Sequence, residues 1–326
     1  MGILKRQNPS QGNPMSDASR KEELLRIVNQ RIKQVQGENT EKKEPVKTPT
    51  MKGIRRADGR TYQPRELAGT SDVEALRTLR AQGIFTLLAG PPGTGKTALV
   101  HTAFENELHV ITGNENTNVE AFLGQWSPTG DGKFFWADGP LINAMRNGEV
   151  LFVDDATLIN PRAIAVMYPA MDGRGEVIVT DHIIRHPDTT MGPDVVKAQP
   201  GFHVVAAHNP GVFGAHLSDA LASRFVARIW VETDLTLAGS LGVPERFIQL
   251  VRKLNAEREK GQMGLWVPQL RELLAARDIS NVFGELVAAA NLLGMAPEED
   301  QGIIQERMNV IFNNEEILPL EVGGQL

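Results

Sequence analysis

From Ile84 onward the chain alternates short, unbroken apolar runs with longer stretches whose apolar residues recur at helical spacing. The runs are Ile84–Ala89, His109–Thr112, Glu149–Val153, Phe202–Ala207 and Arg228–Val231. A strand buried on one face alternates apolar with polar residues; a strand buried on both faces does not. These five therefore read as a parallel sheet covered on both sides. Thr97–Leu108, Gly139–Asn147 and Asn160–Met171 supply helices between them, which predicts an α/β layered domain. Two stretches break the rhythm. Trp126–Asp138 places Thr129-Gly130-Asp131-Gly132 between short aromatic segments, a hairpin pattern. Glu176–His186 alternates apolar and polar after Asp172-Gly173-Arg174-Gly175 and predicts a second hairpin.

Beyond about Thr236 the strand pattern ends. Pro244–Ala256, Val267–Arg277, Asn281–Leu293 and Pro297–Phe312 read as the helices of a small all-α domain. Ahead of the sheet, Pro64–Gly83 reads as a linker and a helix with Val73, Leu76 and Leu79 as its apolar stripe. Residues 1–63 are polar and poor in aromatics, the composition of a flexible tail. Within the tail, Ser19 and Glu22 form a capping-box pattern, and Leu24, Leu25, Val28 and Ile32 share one helical face that Gly37 would end. Two readings stand for it: a marginal helix in a tail, or a helix that docks on a partner. The predicted organisation is a tail over 1–63, an α/β core over 64–236 and a helical domain over 237–326.

Composition narrows the class. The 326 residues are 41% hydrophobic and 23% charged, enough apolar content to bury a core. The formal charge of −6 argues against a nucleic-acid binder, which usually carries a basic surface. With no cysteine, disulfides, thiolate metal sites and cysteine nucleophiles are excluded. No apolar run approaches the ~20 residues that cross a bilayer, and the N-terminus lacks the apolar core of a secretory signal. The expectation is a soluble cytoplasmic protein without membrane insertion.

The strongest chemical signal is Gly90-Pro91-Pro92-Gly93-Thr94-Gly95-Lys96-Thr97, which fits G-x-x-x-x-G-K-[ST]. It follows an apolar strand and opens a helix, the context that pattern requires. Glycines let successive backbone N–H groups turn inward onto phosphate oxygens, and the helix N-terminus adds partial positive charge. Lys96 would reach the β- and γ-phosphates of ATP, and the Thr97 hydroxyl would ligate Mg²⁺.

Three later features fit the same chemistry. The run Glu149–Val153 ends in Asp154 and Asp155. Asp154 suits completion of the Mg²⁺ coordination and Asp155 suits orientation of an attacking water. The run Phe202–Ala207 leads through His208 to Asn209-Pro210. Asn209 could bond a γ-phosphate or hold the water, or could be a plain Asn-Pro turn; His208 reads as a packing or hydrogen-bonding residue. Leu217–Phe225 places Arg224 at the end of a short helix, where it could neutralise transition-state charge in a neighbouring subunit or form an ordinary helix-end salt bridge.

Taken in order, Gly90–Thr97, Val150–Ala156, Val204–Pro210 and Leu217–Phe225 resemble the MoxR branch of AAA+ ATPases, particularly its CbbQ/NirQ-like subgroup. The resemblance runs from about Tyr62 to Asp278 and is supported by Ile111-Thr112-Gly113, Phe135–Leu141 and Tyr168–Asp172. It implies a P-loop NTPase (AAA+) core with a small all-α lid. Asn209 then matches a sensor-1 residue, Arg224 an arginine finger and Arg271 a sensor-2 arginine of the lid. The two hairpins look like insertions that line a ring's pore. The resemblance further implies a homo-hexamer and a chaperone-like activity on a protein client, often beside a von Willebrand factor A domain partner. Asp155 departs from the pattern, because most such proteins carry Glu there. Asp is one methylene shorter, roughly 1.5 Å of reach unless the backbone shifts. A slow ATP-dependent switch and a nucleic-acid motor remain as alternatives. A small-molecule kinase shares the phosphate loop but leaves Asn209, Ser223-Arg224-Phe225 and the helical lid unexplained.

Overall fold

The computed structural model describes residues 52–212, 217–261, 264–313 and 315–323. The helix expected between Ser19 and Gly37 lies outside the described residues. Where description begins the chain is already folded. β1 (Ile54–Arg55) pairs antiparallel with β2 (Thr61–Tyr62), and β3 (Glu66–Leu67) with β4 (Thr70–Ser71). This corrects the expectation of a tail reaching residue 63. Tyr62 accounts for the difference: it is buried in one cluster with Val73, Leu76, Leu99 and Val100, which ties the first hairpin to the core.

α1 (Asp72–Ala81) starts at Ser71, whose hydroxyl accepts the Glu74 N–H at 3.1 Å. The chain then runs through β5 (Thr86–Ala89), α2 (Lys96–Phe104), β6 (Leu108–Thr112), α3 (Glu120–Leu123), β7 (Gly124–Pro128) and β8 (Phe134–Asp138). It continues through α4 (Pro140–Asn147), β9 (Val150–Asp154), α5 (Pro161–Ile164) and α6 (Tyr168–Met171). β10 (Glu176–Arg185), β11 (Met191–Lys197), β12 (His203–His208), α7 (Asp219–Ala222) and β13 (Ala227–Trp230) complete the core. The expected helix Asn160–Met171 is broken into α5, a 3₁₀ turn and α6. Pro169 lacks the N–H that a continuous helix would donate to the preceding turn, and it is accommodated in the first turn of α6, where no such bond is needed.

The five apolar runs form one sheet in the order β13-β5-β12-β9-β6, with every pairing parallel. Their unbroken apolar character has a direct cause. Leu87, Leu151, Val153, Val204 and Ala206 enter the cluster that holds Leu141, Met145 and Ile164. Their sequence neighbours Leu88, Val150, Phe152, Val205 and Ala207 enter the opposite cluster with α1 and α2. Alternate side chains leave a strand on opposite sides, so both registers must be apolar.

Both hairpins are present. β7–β8 ends at Asp138 as expected and starts two residues earlier, at Gly124. The second is longer than expected, because the alternating stretch supplies only β10 and the chain returns as β11. Gly192 and Pro193 weaken the strand pattern of that return. β10 carries an irregularity between Val179 and Ile183. There the Asp181 carbonyl accepts from Trp126 Nε1 at 3.0 Å, and His182 stacks on Trp136 at 4.9 Å. Buried Asp194 of β11 takes both His182 Nδ1, at 3.1 Å, and the Arg146 guanidinium of α4, which also bonds Asp138.

After β13 come α8 (Leu235–Ser240), α9 (Glu245–Glu259), α10 (Leu270–Phe283), α11 (Glu285–Gly294) and α12 (Glu298–Ile311). They bury a second core of their own, including Phe247, Leu250, Leu273, Leu292, Ile304 and Met308. α8 had no counterpart in the sequence pattern. Among the described residues no helix is long and apolar enough to cross a membrane.

One core residue makes stability depend on pH. His203 is fully buried beside Phe85 and Phe104, with ring centroids 5.7 and 6.3 Å away and neither ring nitrogen hydrogen-bonded. Burial, with the nearby Arg80 charge, lowers its pKa from the usual 6.5 to about 4. The unfolded chain therefore takes up this proton first as pH falls. The associated stability is complete above pH 6.5 and is lost progressively toward pH 4, amounting to about 3 kcal/mol. His203→Leu should flatten that part of the decline; urea midpoints of both proteins at pH 7, 6, 5 and 4 check it, and parallel curves would contradict it.

Candidate functional site

The register of the sheet gathers the site. Ala89 of β5 lies opposite His208 of β12, and Val153 of β9 lies opposite Ala206. The segments leaving these three strands therefore emerge side by side, at the point where the chain reverses its direction across the sheet. Ligands in open α/β sheets bind at such a point. Gly90–Thr97 leaves β5, Asp154-Asp155 ends β9, and Asn209 follows β12.

The loop after β5 is tightly placed. A Cβ on Gly90 would lie 2.1 Å from the Val231 carbonyl oxygen, so only glycine allows this approach. Lys96 is buried, and its ammonium donates to the carbonyls of Gly90 at 2.9 Å and Pro91 at 2.8 Å. Burial pulls its pKa down to about 8; the carboxylates of Asp154 and Asp155 oppose that, and the charges of Arg271 and Arg65 add to it. The Thr97 hydroxyl donates to Asp154 Oδ2 at 2.8 Å.

Asp155 follows directly on β9. Its backbone sits in the left-handed region, φ 48° and ψ 41°, which Asp tolerates better than most residues. Its carboxylate accepts from Asn209 Nδ2. Gly113 permits the turn: its N–H donates to the Asp154 carbonyl at 2.8 Å, and a Cβ there would lie 2.4 Å from the Asp155 carbonyl. Burial and the Asp154 charge raise the Asp155 pKa, while Lys96, Arg271 and the Asn209 bond oppose the rise. His208 bonds Thr157 at 3.0 Å through Nδ1, a hydrogen-bonding position behind the site.

The helical layer closes the cleft. Arg271, at the start of α10, donates its backbone N–H to the Gly93 carbonyl at 3.1 Å. The cleft, about 610 Å³, is lined by the loop from Pro92 to Thr97 and by Asp154, Asp155, Asn209 and Arg271. Gly90 and Pro91 reach it through their carbonyls on Lys96. Arg224 does not line it: its guanidinium lies 3.8 Å over the Tyr168 ring, and Nη1 donates to the Ala220 carbonyl at 2.5 Å.

Several lining residues carried no motif. Leu237 and Leu241 of α8 and its end, with Leu270 and Leu274 of α10, form an apolar wall, each pair at the i, i+4 spacing of one helical face. Arg56, Arg60, Tyr62 and Arg65 come from the segment around the first hairpin. The one signal available was Tyr62 itself, an aromatic in a polar stretch.

Residues 86–225, from β5 through Phe225, match the family model of the AAA domain, dynein-related subfamily. An uncharacterized protein of Staphylococcus aureus (strain NCTC 8325) is 33% identical over 214 residues, 60% of this chain and 78% of that protein. One from Staphylococcus saprophyticus is 28% identical over 240 residues, 68% of this chain and 86% of its own. A solved structure from Cytophaga hutchinsonii, described as a candidate ATPase, covers 76% of this chain and 80% of its own at 15% identity, with a TM-score of 0.37. Residues 86–225, which hold the parallel five-stranded sheet's first four strands and the loop Gly90–Thr97, thus carry an AAA domain of the dynein-related subfamily.

Proposed function

We propose that the protein is an AAA+ ATPase of MoxR type that binds ATP with Mg²⁺ and spends its hydrolysis on remodelling or activating a protein partner. The convergence of Lys96, Thr97, Asp154, Asp155 and Asn209 on one cleft carries this reading. The oxygens of Thr97 and Asp154 are 2.8 Å apart, close to the ~2.9 Å edge of an octahedron with ligands at 2.0–2.1 Å, and both are hard donors suited to Mg²⁺. Among the described residues no cluster of three or more His, Asp or Glu side chains could hold a metal alone. A metal here suits one that arrives with the phosphates and completes its shell from them.

In this proposal the loop N–H groups and Lys96 hold the β- and γ-phosphates, and Thr97 and Asp154 hold the metal. Bound Mg²⁺ would neutralise charge on the phosphate oxygens. Asp155 orients and accepts a proton from the attacking water, with Asn209 fixing its carboxylate. Arg271 faces the phosphates from the lid. Arg224 acts in a neighbouring subunit of a homo-hexamer, a role supported by its position away from the cleft of its own chain.

A protein client is supported by the hairpins, which expose Trp126, Phe134 and Phe135 on one and Ile178, Ile183 and Met191 on the other. Exposed large apolar side chains on both hairpins suit protein contact more than polyanion contact, and the net charge of −6 agrees. A von Willebrand factor A domain protein as that partner, and a cytoplasmic location, belong to the same proposal through the MoxR resemblance.

Lys96→Ala should weaken Mg²⁺–ATP binding by about 100-fold or more, a loss on the scale of one charge-assisted phosphate contact in a water-poor site. Titration with a fluorescent ATP analogue reads this, and equal affinity in the two proteins would sink the proposal. Asp155→Asn should keep ATP affinity while phosphate release falls on the order of 10²–10⁴-fold. Asp155→Glu should not exceed wild-type turnover, because the longer side chain no longer fits the left-handed turn and its bond to Asn209; a large gain would favour the slow-switch alternative. Arg224→Ala should bind ATP normally and lose assembly-dependent hydrolysis by about 10³-fold or more. Parallel loss of binding and turnover would remove the in-trans role.

A further inference from the structure

A phosphate loop that turns its N–H groups inward must turn its carbonyls outward, and buried carbonyls need donors. In this chain those donors come from different parts of the fold. Lys96 serves Gly90 and Pro91. The backbone of Arg271, in α10, serves Gly93 at 3.1 Å. Arg65 serves Thr94: its Nη1 donates to that carbonyl at 3.0 Å, from a side chain only 13% exposed.

The rest of the Arg65 side chain is fixed. Nε pairs with Asp72 Oδ2 at 3.1 Å, and Nη2 donates to the Tyr62 hydroxyl at 3.1 Å. The Tyr62 hydroxyl in turn donates to the same Asp72 oxygen at 2.5 Å. Partly buried ion pairs contribute little net stability, because desolvation offsets the attraction. What this one supplies is direction: a planar fork with each edge committed.

That fork has a second target. Nη1 also reaches the Glu232 carbonyl at 3.4 Å, in the connector between β13 and α8. The next residue, Thr233, donates through its hydroxyl to Gln269 Oε1 at 2.9 Å and accepts from the Leu270 N–H at 3.0 Å. Leu270 and Arg271 open α10, and Arg271 closes the path at Gly93. A closed circuit therefore runs from Thr94 through Arg65, the Glu232-Thr233 connector and the head of α10 back to Gly93, one residue from where it began.

We propose that Arg65 is a positioning residue that couples the phosphate loop to the seating of the helical lid. When phosphates fix the loop amides, the opposed carbonyls are fixed with them. Arg65 then transmits that order to the connector, and Thr233 passes it to α10. The proposal rests on the nucleotide reading given above.

Hydrogen exchange of the Leu270 and Arg271 amides, with and without ADP–Mg²⁺, tests it on the full-length protein. Nucleotide should slow their exchange about 10-fold in wild type, the size of a coupling free energy near 1.4 kcal/mol. Arg65→Lys gives up the planar fork that Asp72 and Tyr62 hold, so its ammonium is no longer aimed at both carbonyls, and Thr233→Val cuts the circuit at its other joint. Both, compared at saturating ADP–Mg²⁺, should show less than about threefold slowing. Tyr62→Phe removes one bond to the same guanidinium and should lower Tm while keeping the wild-type slowing. Wild-type slowing in either coupling variant, once its binding is verified, overturns the proposal. So does loss of the slowing in Tyr62→Phe, which would make it a plain stability effect. Should Arg65→Lys fail to fold, Thr233→Val decides alone. Wild type that binds no ADP overturns the nucleotide reading and this coupling together, whereas bound nucleotide with unslowed amides overturns the coupling only.

Discussion

β5, β9 and β12 are parallel neighbours, and the pairing of Ala89 with His208 and of Val153 with Ala206 fixes where each one stops. Everything chemical in the molecule depends on that alignment. Slide β12 by one residue and Asn209 no longer meets Asp155; every side chain of the strand would also change face, because the period of a strand is two. Both faces are packed with Val, Leu and Phe, so the slip would cost burial on both sides of the sheet at once. The apolar layers are thereby what hold polar groups in place at the strand ends.

The same logic explains which parts could be read from the sequence. Strands buried on two faces announce themselves as unbroken apolar runs, and all five were placed to within two residues. The phosphate loop, Asp154, Asp155 and Asn209 sit at the ends of those runs, so finding the strands located most of the cleft. Pattern reading failed where local chemistry is weak and tertiary contact decides. β11 carries Gly192 and Pro193 and forms as a strand against β10. The first hairpin lies in a polar stretch and is held through Tyr62, whose partners are remote in sequence. Arg65 was invisible for the same reason: its hydrogen bonds reach residues from 62 to 232.

Asp155 stands where the resemblance leads one to expect Glu. Considered as a shorter Glu, it should fall short of its task. Its left-handed backbone sets the direction in which the carboxylate leaves β9, and that direction takes it to Asn209. Gly113 on the neighbouring strand's exit leaves room for this turn, so the substitution and its surroundings form one solution.

The cross-braced hairpins have a mechanical consequence. Trp126 is pinned to the Asp181 carbonyl, Trp136 lies flat on His182, and Asp194 clamps His182 to Arg146 of α4. Two ribbons that would each bend freely are thus riveted into a single strut with its foot on α4. That helix rests against the layer beneath β9, the strand that carries Asp154 and Asp155. Bending either hairpin alone would therefore break its ties to the other or to α4, so the two stiffen as one unit above the helix that packs against β9.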